Sequence, residues 1–257
     1  MNIENKKKFV ESLKNSFLKA GEISLLLRKQ GLTEEIKSDG TPVTNGDLEV
    51  NKIITKQIKE LTSEFPIVSE ESSLNKSNIN LNSFWLIDPI DGTHDYINNR
   101  EEFTLNAALI INKIPEVGII YAPAKKRLFY TYEKNFSFEL TNNQEIKLNC
   151  KKITKEGEVK AVSYSDKLKP VIEDLHKKFK VTSFKKMKSS LKFCVVATGE
   201  YDLYIAEARA CEWDIAAGHA ILKNAGGIVT DFDGGEVFYG KKNFKNPSLI
   251  LKRSNNL

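Results

Sequence analysis

Trp85-Leu86-Ile87-Asp88-Pro89-Ile90-Asp91-Gly92-Thr93 is the stretch on which the reading of this chain turns. An apolar run ends abruptly in two carboxylates three residues apart, and a Gly-Thr pair follows at once. Residues 85–87 read as the end of a buried strand. Pro89 has no backbone N–H to give to a neighbour, so the ladder is expected to end there. The chain then turns, and Asp88 and Asp91 face one space at the strand's carboxyl end. Carboxylates held that close repel unless a cation lies between them, and hard divalent cations take oxygen ligands of this kind. Gly92-Thr93 opens a short helical stretch, residues 93–97, whose free N–H groups suit a phosphate. The same letters also spell an ordinary Asp-Gly turn. This segment leaves both readings open, and the rest of the chain has to separate them.

On the amino-terminal side, residues 4–30 read as a long amphipathic packing helix, with Phe9, Leu13, Phe17 and Ala20 at helical spacing. Residues 31–46 read as a polar loop. Thr44-Asn45-Gly46-Asp47 has the spacing of a capping box ahead of a second helix, about 46–63. Pro66-Ile67-Val68-Ser69 is a short strand that runs into Glu70-Glu71. On the carboxyl-terminal side the period changes. Residues 105–111, 117–121, 127–132 and 136–140 are short apolar or alternating runs separated by turns, which predicts an antiparallel meander. A polar stretch, 141–158, is the expected boundary between an α+β half (1–153) and an α/β half (154–257). In the second half, strands at 159–163, 181–184, 202–205 and 227–231 alternate with helices near 167–180, 190–200 and 212–225.

Composition sets the bounds. The chain has 257 residues, 40% of them hydrophobic and 28% charged, which fits a globular protein of one large domain or two small ones. No apolar core follows the lysine-rich start, and no run approaches the roughly 20 apolar residues of a membrane span, so a cytoplasmic protein is expected. Cys150, Cys194 and Cys211 are odd in number and scattered, which speaks against a disulfide framework and against zinc. His94, His176 and His219 make no zinc pattern either. A net charge of +5 permits an anionic small substrate without arguing for nucleic acid.

Four carboxylate positions stand at the ends of apolar runs or the starts of helices: Asp47, Glu70, Asp88 with Asp91, and Asp214 in Trp213-Asp214-Ile215-Ala216-Ala217-Gly218. Taken alone, Asp214 reads as a helix cap. Taken together with Ser69-Glu70-Glu71, Asp88-Pro89-Ile90-Asp91-Gly92-Thr93 and Ala225-Gly226-Gly227, the order and spacing resemble the inositol monophosphatase-like superfamily of metal-dependent, lithium-sensitive phosphatases. Thr41-Pro42-Val43-Thr44, Glu102-Phe103-Thr104-Leu105-Asn106, Ser189-Ser190-Leu191-Lys192-Phe193-Cys194 and Glu212-Trp213-Asp214 are most similar to the CysQ-type 3′(2′),5′-bisphosphate nucleotidases within it.

The resemblance implies a layered αβαβα sandwich and two or three Mg²⁺ ions. It implies Glu70, Asp88 and the Ile90 carbonyl around one ion, and Asp88, Asp91 and Asp214 around a second. A third, looser ion would reach Glu70 through water. Thr93 and Asp47 are the implied pair that orients and deprotonates the attacking water, the Gly92 and Thr93 N–H groups the implied seat of the scissile phosphate, and Ser189 and Lys192 the implied nucleotide contacts.

Physical chemistry points the same way. Two cations about 3.5–4 Å apart neutralise a phosphate monoester, acidify water and stabilise the leaving oxygen. Metal-activated water needs only a weak base, and no Ser or Cys nucleophile with a His partner is evident. A second phosphate on the substrate needs a second cationic seat. Lys185, Lys186, Lys188 and Lys192 surround Ser189-Ser190, and Arg209 is a further candidate for a bidentate contact; a solvated helix face is the alternative for the lysines. Lys188 stands where a glycine is expected, which puts the local turn in question. His94 is expected to be a surface residue, and Cys211 a small apolar filler.

The expected reaction is removal of the 3′-phosphate of adenosine 3′,5′-bisphosphate, in a monomer or homodimer that binds neither nucleic acid nor membrane. An inositol-phosphate or sugar-phosphate phosphatase using the same metals is the first alternative. A catalytically silent nucleotide-binding protein is the second.

Overall fold

A computed structural model of the chain describes residues 2–72, 81–150 and 157–257. The expected division between residues 153 and 154 lies outside the described residues. The amino-terminal part contains α1 (Ile3–Gln30), β1 (Glu34–Ile36), β2 (Pro42–Thr44), α2 (Asn45–Leu61), β3 (Ile67–Ser69), β4 (Phe84–Asp91), α3 (Thr93–Ile97) and β5 (Thr104–Ile111). β6 (Ile114–Ala122), β7 (Arg127–Glu133), β8 (Phe136–Thr141) and β9 (Gln144–Lys147) follow. β10 (Val159–Ser163), α4 (Pro170–Lys178), β11 (Val181–Lys186), α5 (Leu191–Ala197), β12 (Leu203–Ala206), α6 (Glu212–Asn224), β13 (Ile228–Asp231) and β14 (Leu249–Lys252) complete the chain.

Strands β3 to β9 form one seven-stranded sheet in sequence order, antiparallel except for the parallel β3–β4 pair. The meander is present as expected. The other sheet has the order β11-β10-β12-β14-β13, with β10 parallel to both β11 and β12 and with β14 antiparallel to its two neighbours.

The apolar run that opens β4 has no polar alternation because both of its faces are covered. Trp85 and Ile87 pack with Val10, Leu13 and Phe17 of α1 and Val50, Ile54 and Ile58 of α2. Phe84 and Leu86 face the opposite way, toward α5 and α6 and the second sheet beyond them. On the far face of that sheet, Ile172 of α4 packs with Ala161, Leu203 and Ile250. The layers therefore run helix, sheet, helix, sheet, helix, the αβαβα arrangement expected from the resemblance. The middle-layer helix α6 is buried on every side from Ile215 to Leu222, and apart from His219 its sequence there is accordingly apolar all round. It approaches the large sheet at Gly118, where a Cβ would stand 2.5 Å from the Ala217 carbonyl oxygen.

Several expectations need correction. The loop at 31–46 contains the β1–β2 hairpin, and β9 forms within the polar stretch at 141–158; β1 and β9 are exposed strands without alternation and β2 spans only three residues, so they carry no periodic signal. β14 is a further strand, inserted between β12 and β13. Pro89 does not end the ladder. Pairing skips from Asp88↔Asn106 to Asp91↔Thr104, and Pro89 sits in the intervening bulge, where no N–H is demanded of it. The helix expected near 167–180 starts only at Pro170, in the first-turn position that proline favours. Among the described residues no helix is long and apolar enough to cross a membrane.

Candidate active site

The parallel pairing of β3 with β4, Ser69 opposite Ile87, carries Glu70 off one strand beside Asp88 on the next, and the Glu70 N–H donates to the Ile87 carbonyl at 3.0 Å. The bulge at Pro89-Ile90 then brings Asp91 round to the same cavity. Asp214 comes from the first turn of α6. Its Oδ2 accepts the Cys211 N–H at 2.7 Å, so the cap role expected of it is real. Asp214 also belongs to the cluster: Glu70, Asp88 and Asp214 each offer an oxygen within 4.8 Å of the others. Asp91 is outside this tight triple but lines the same cavity of about 440 Å³, together with Ile90, Gly92 and Thr93.

Electrostatics make the triple uncomfortable without a cation. Asp88 is 1% exposed, and its Oδ1 has no hydrogen-bond partner among the described residues. Burial, and then the charges of Glu70, Asp91 and Asp214, push its carboxyl well above the usual carboxylate range. Burial and the charges of Asp91 and Glu70 do the same to Asp214. Burial lifts Asp91 to about 6 although Lys192 and the Ser190 N–H favour its ionised form. An all-oxygen cluster with an unpartnered buried acceptor fits a hard divalent cation such as Mg²⁺. Lys37, on the β1–β2 hairpin, is the cation found at this wall, with Nζ 2.9 Å from Glu70 Oε1 and 2.5 Å from Glu71 Oε1. Burial opposes its charge, but the two carboxylates outweigh burial and raise its pKa.

The capping box Thr44–Asp47 is formed. Asp47 is 1% exposed, and burial raises its pKa despite two hydrogen bonds from Thr44. Its free oxygen faces Thr93, whose Oγ1 lies 3.3 Å from Asp47 Oδ1 and 3.1 Å from the Ile90 carbonyl oxygen. That carbonyl keeps a second lone pair for another partner. Gly92 has φ +93°, and a Cβ there would meet the Glu102 carbonyl oxygen at 2.9 Å, so the tight exit from β4 requires glycine.

Cations gather on the opposite wall. The parallel strands β11, β10 and β12 end side by side, and just beyond their carboxyl ends come Lys188, Tyr164 and Arg209. Lys188 Nζ and the Arg209 guanidinium carbon each stand 3.3 Å from the centre of the Tyr164 ring. Burial would raise the Tyr164 pKa, but Arg209 and Lys188 outweigh it and lower it. Lys192 is buried, donates to the Ser189 carbonyl, and lies 5.3 Å from the Tyr204 ring and 5.7 Å from the Tyr164 ring. Burial, helped by Arg209 and Lys188, lowers its pKa to about 8. A second cavity, of about 350 Å³, is lined by Ser189, Lys192, Tyr204 and Asn246. It shares Asp91, Tyr164, Ser189, Arg209 and Asp214 with the acidic one.

The segment Glu102–Asn106 ties these walls together. Ser190 Oγ lies 2.8 Å from Thr104 Oγ1 and 2.5 Å from Asn106 Oδ1, and Glu102 accepts the Lys188 N–H at 2.9 Å. The left-handed residue of this turn is Ser189, at φ +54°, and not Lys188. Lys185 and Lys186 are exposed on β11 and take the solvated reading, Lys186 being paired with Asp166. His94 is exposed as expected and lines the acidic cavity. Cys211, expected as a filler, is instead the N-cap of α6. Pattern reasoning missed Lys37 and Tyr164. Lys37 stands in a polar loop with no local partner, and Tyr164 follows a strand with nothing in sequence to mark what flanks it.

The inositol monophosphatase family matches over residues 5–256. The 3′(2′),5′-bisphosphate nucleotidase CysQ of Buchnera aphidicola is 38% identical over 207 residues, covering 79% of this chain and 76% of that protein. The crystal structure of CysQ from Bacteroides thetaiotaomicron superposes with a TM-score of 0.78 at 28% identity, covering 98% of each chain. An IMPase/NADP phosphatase complexed with Mg²⁺ and phosphate has the same fold, with a TM-score of 0.76 at 22% identity over 95% of this chain and 90% of that one. With almost the whole chain matched, and the carboxylate cluster formed where its motifs converge, the protein belongs to the inositol monophosphatase family.

Proposed function

We propose that the protein is a Mg²⁺-dependent phosphatase that removes the 3′-phosphate of adenosine 3′,5′-bisphosphate, giving AMP and phosphate. The observation that carries this reading is the shared wall: an acidic cavity suited to metal ions lies directly against a cluster of three cations. A substrate with two phosphates can use both. The names of the CysQ relatives support the same substrate class.

In this reading Glu70, Asp88 and the Ile90 carbonyl hold one ion, and Asp88, Asp91 and Asp214 hold another, with a third reached through Glu70. Bound there, divalent ions would neutralise the phosphate and acidify the attacking water. Thr93 Oγ1 orients that water, and Asp47 Oδ1, behind it, takes the proton. The Gly92 and Thr93 N–H groups hold the scissile phosphate. Ser189, Lys192 and Arg209 contact the remainder of the nucleotide. Residues 1–153 act as the metal-binding half, and 154–257 supply Asp214 and the substrate contacts. The protein works in the cytoplasm as a monomer or homodimer.

The test is phosphate release in Mg²⁺, with and without Li⁺, from adenosine 3′,5′-bisphosphate, inositol 1-phosphate and fructose 1,6-bisphosphate side by side. Preference for the nucleotide, with inhibition by Li⁺, is the expected result. Preference for either other substrate would keep the metal chemistry and overturn the substrate. No release from any would favour a silent binding protein.

A further inference from the structure

We propose that Tyr164 is a specificity-determining residue: its ring holds Lys188 and Arg209 in place with no carboxylate at ion-pair distance, and so selects esters that carry a second phosphate. The inference rests on the phosphatase reading of the acidic cavity, and not on the nucleotide.

Topology places the three residues. In the order β11-β10-β12 all three strands run parallel, and Ser163 at the end of β10 pairs with Lys186 at the end of β11. The chain leaving β10 therefore emerges between the chains leaving its neighbours. Tyr164 comes from the middle strand, Lys188 from one flank and Arg209 from the other. Two cationic heads, each 3.3 Å from the ring centre, cannot share one face without overlapping, so the ring stands between them.

The choice of partner matters. Arg100, Arg127 and Arg253 are each held by a carboxylate, which fixes a guanidinium but cancels its charge. Among the described residues, Lys188, Arg209 and Lys192 have no carboxylate at ion-pair distance. Glu102 accepts the Lys188 N–H, and Glu207 pairs with Lys169 at 2.6 Å. An aromatic face restrains a cation while leaving its charge and its N–H donors free for an anion. Ligands of open α/β sheets bind outside the carboxyl ends of the strands, and Tyr164 lines both cavities there. Three cations around one ring repel one another, and a phosphate dianion relieves that repulsion.

The experiment compares matched substrate pairs that share the scissile ester: adenosine 3′,5′-bisphosphate with adenosine 3′-phosphate, and fructose 1,6-bisphosphate with fructose 1-phosphate. All are assayed with the full chain in Mg²⁺. Tyr164→Leu should raise KM about tenfold more on the bisphosphate than on the monophosphate. Tyr164→Phe, which keeps the ring, should retain the wild-type ratio between pair members. An equal loss on both members, no change on either, or Phe behaving like Leu would overturn the inference. A wild type that cleaves only the fructose pair would overturn the nucleotide reading, while the Tyr164 ratio would still be decided on that pair. A wild type that cleaves neither pair would overturn both.

Discussion

Thr93 Oγ1 stands 3.3 Å from Asp47 Oδ1, although the two residues belong to different helices and lie 46 positions apart. The other oxygen of Asp47, Oδ2, accepts from the Thr44 N–H at 2.8 Å and the Thr44 hydroxyl at 2.6 Å. The capping box thus holds the carboxylate rigid and leaves one oxygen aimed at Thr93. In the proposed mechanism a residue whose local task is to start a helix becomes the base behind a hydroxyl.

Replacing Asp47 with Asn should therefore lower kcat by about 10²–10⁴, with KM little changed. Thr93→Val should cost a similar factor, and Thr93→Ser much less, because only the hydroxyl is required. Steady-state kinetics at saturating Mg²⁺ decide this. An Asp47→Asn enzyme within about threefold of wild type would show that another group takes the proton.

The carboxylate cluster should make stability depend on pH and metal together. Asp88 and Asp214 have folded pKa values well above their ordinary one, and Asp91 rises from 3.8 to about 6. A raised folded pKa means that the folded state binds more protons than the unfolded one between the two values. Metal-free protein should therefore lose stability as pH rises from about 4 through 6 and beyond. Mg²⁺ competes with those protons, so the gain in Tm on adding it should be larger at pH 7.5 than at pH 5.5. A thermal melt series with and without chelator reads this directly, and a gain independent of pH would contradict it.

Ser190 joins the two halves of the site. Its hydroxyl meets Thr104 and Asn106, and its N–H favours the ionised form of Asp91. Ser190→Ala leaves two buried polar side chains short of a partner, which should cost about 1–3 kcal/mol in urea unfolding. Activity should fall as well, because the turn that carries Ser189 and Lys192 loses its anchor on β5. Full stability with full activity would remove the network from the account.

Gly118→Ala tests how α6 is seated. The added methyl would press on the Ala217 carbonyl and on the Ala220 side chain, 3.0 Å away. Overpacking of this kind costs about 1–3 kcal/mol. Asp214 heads the same helix, so pushing α6 off the sheet should also weaken Mg²⁺ binding, measured as a right-shifted metal titration of activity. Lost stability with unchanged metal dependence would show that the helix start is held independently of that contact.

Sequence by itself determined the local pieces and the chemistry they carry. A run without polar alternation marked β4 as a strand buried on both faces, the Thr44–Asp47 spacing marked the start of α2, and Gly92-Thr93 marked the short helix that follows. These signals are legible because caps, periods and turn residues act over a few positions. The carboxylates at the ends of those runs named the metal candidates for the same reason. Which of them meet was decided by the tertiary structure: Glu70 and Asp88 by the parallel register of β3 on β4, and Asp214 by the seating of α6 on Gly118. Pro89 looked like the end of a ladder because missing one N–H is a local fact, whereas the bulge that tolerates it depends on the partner strand. The short hairpin β1–β2 carries no alternation to read, yet it delivers Lys37 to Glu70. Tyr164 gives no sign in sequence of lying between Lys188 and Arg209, because that follows from the order of three parallel strands, and strand order is fixed by packing rather than by any one segment.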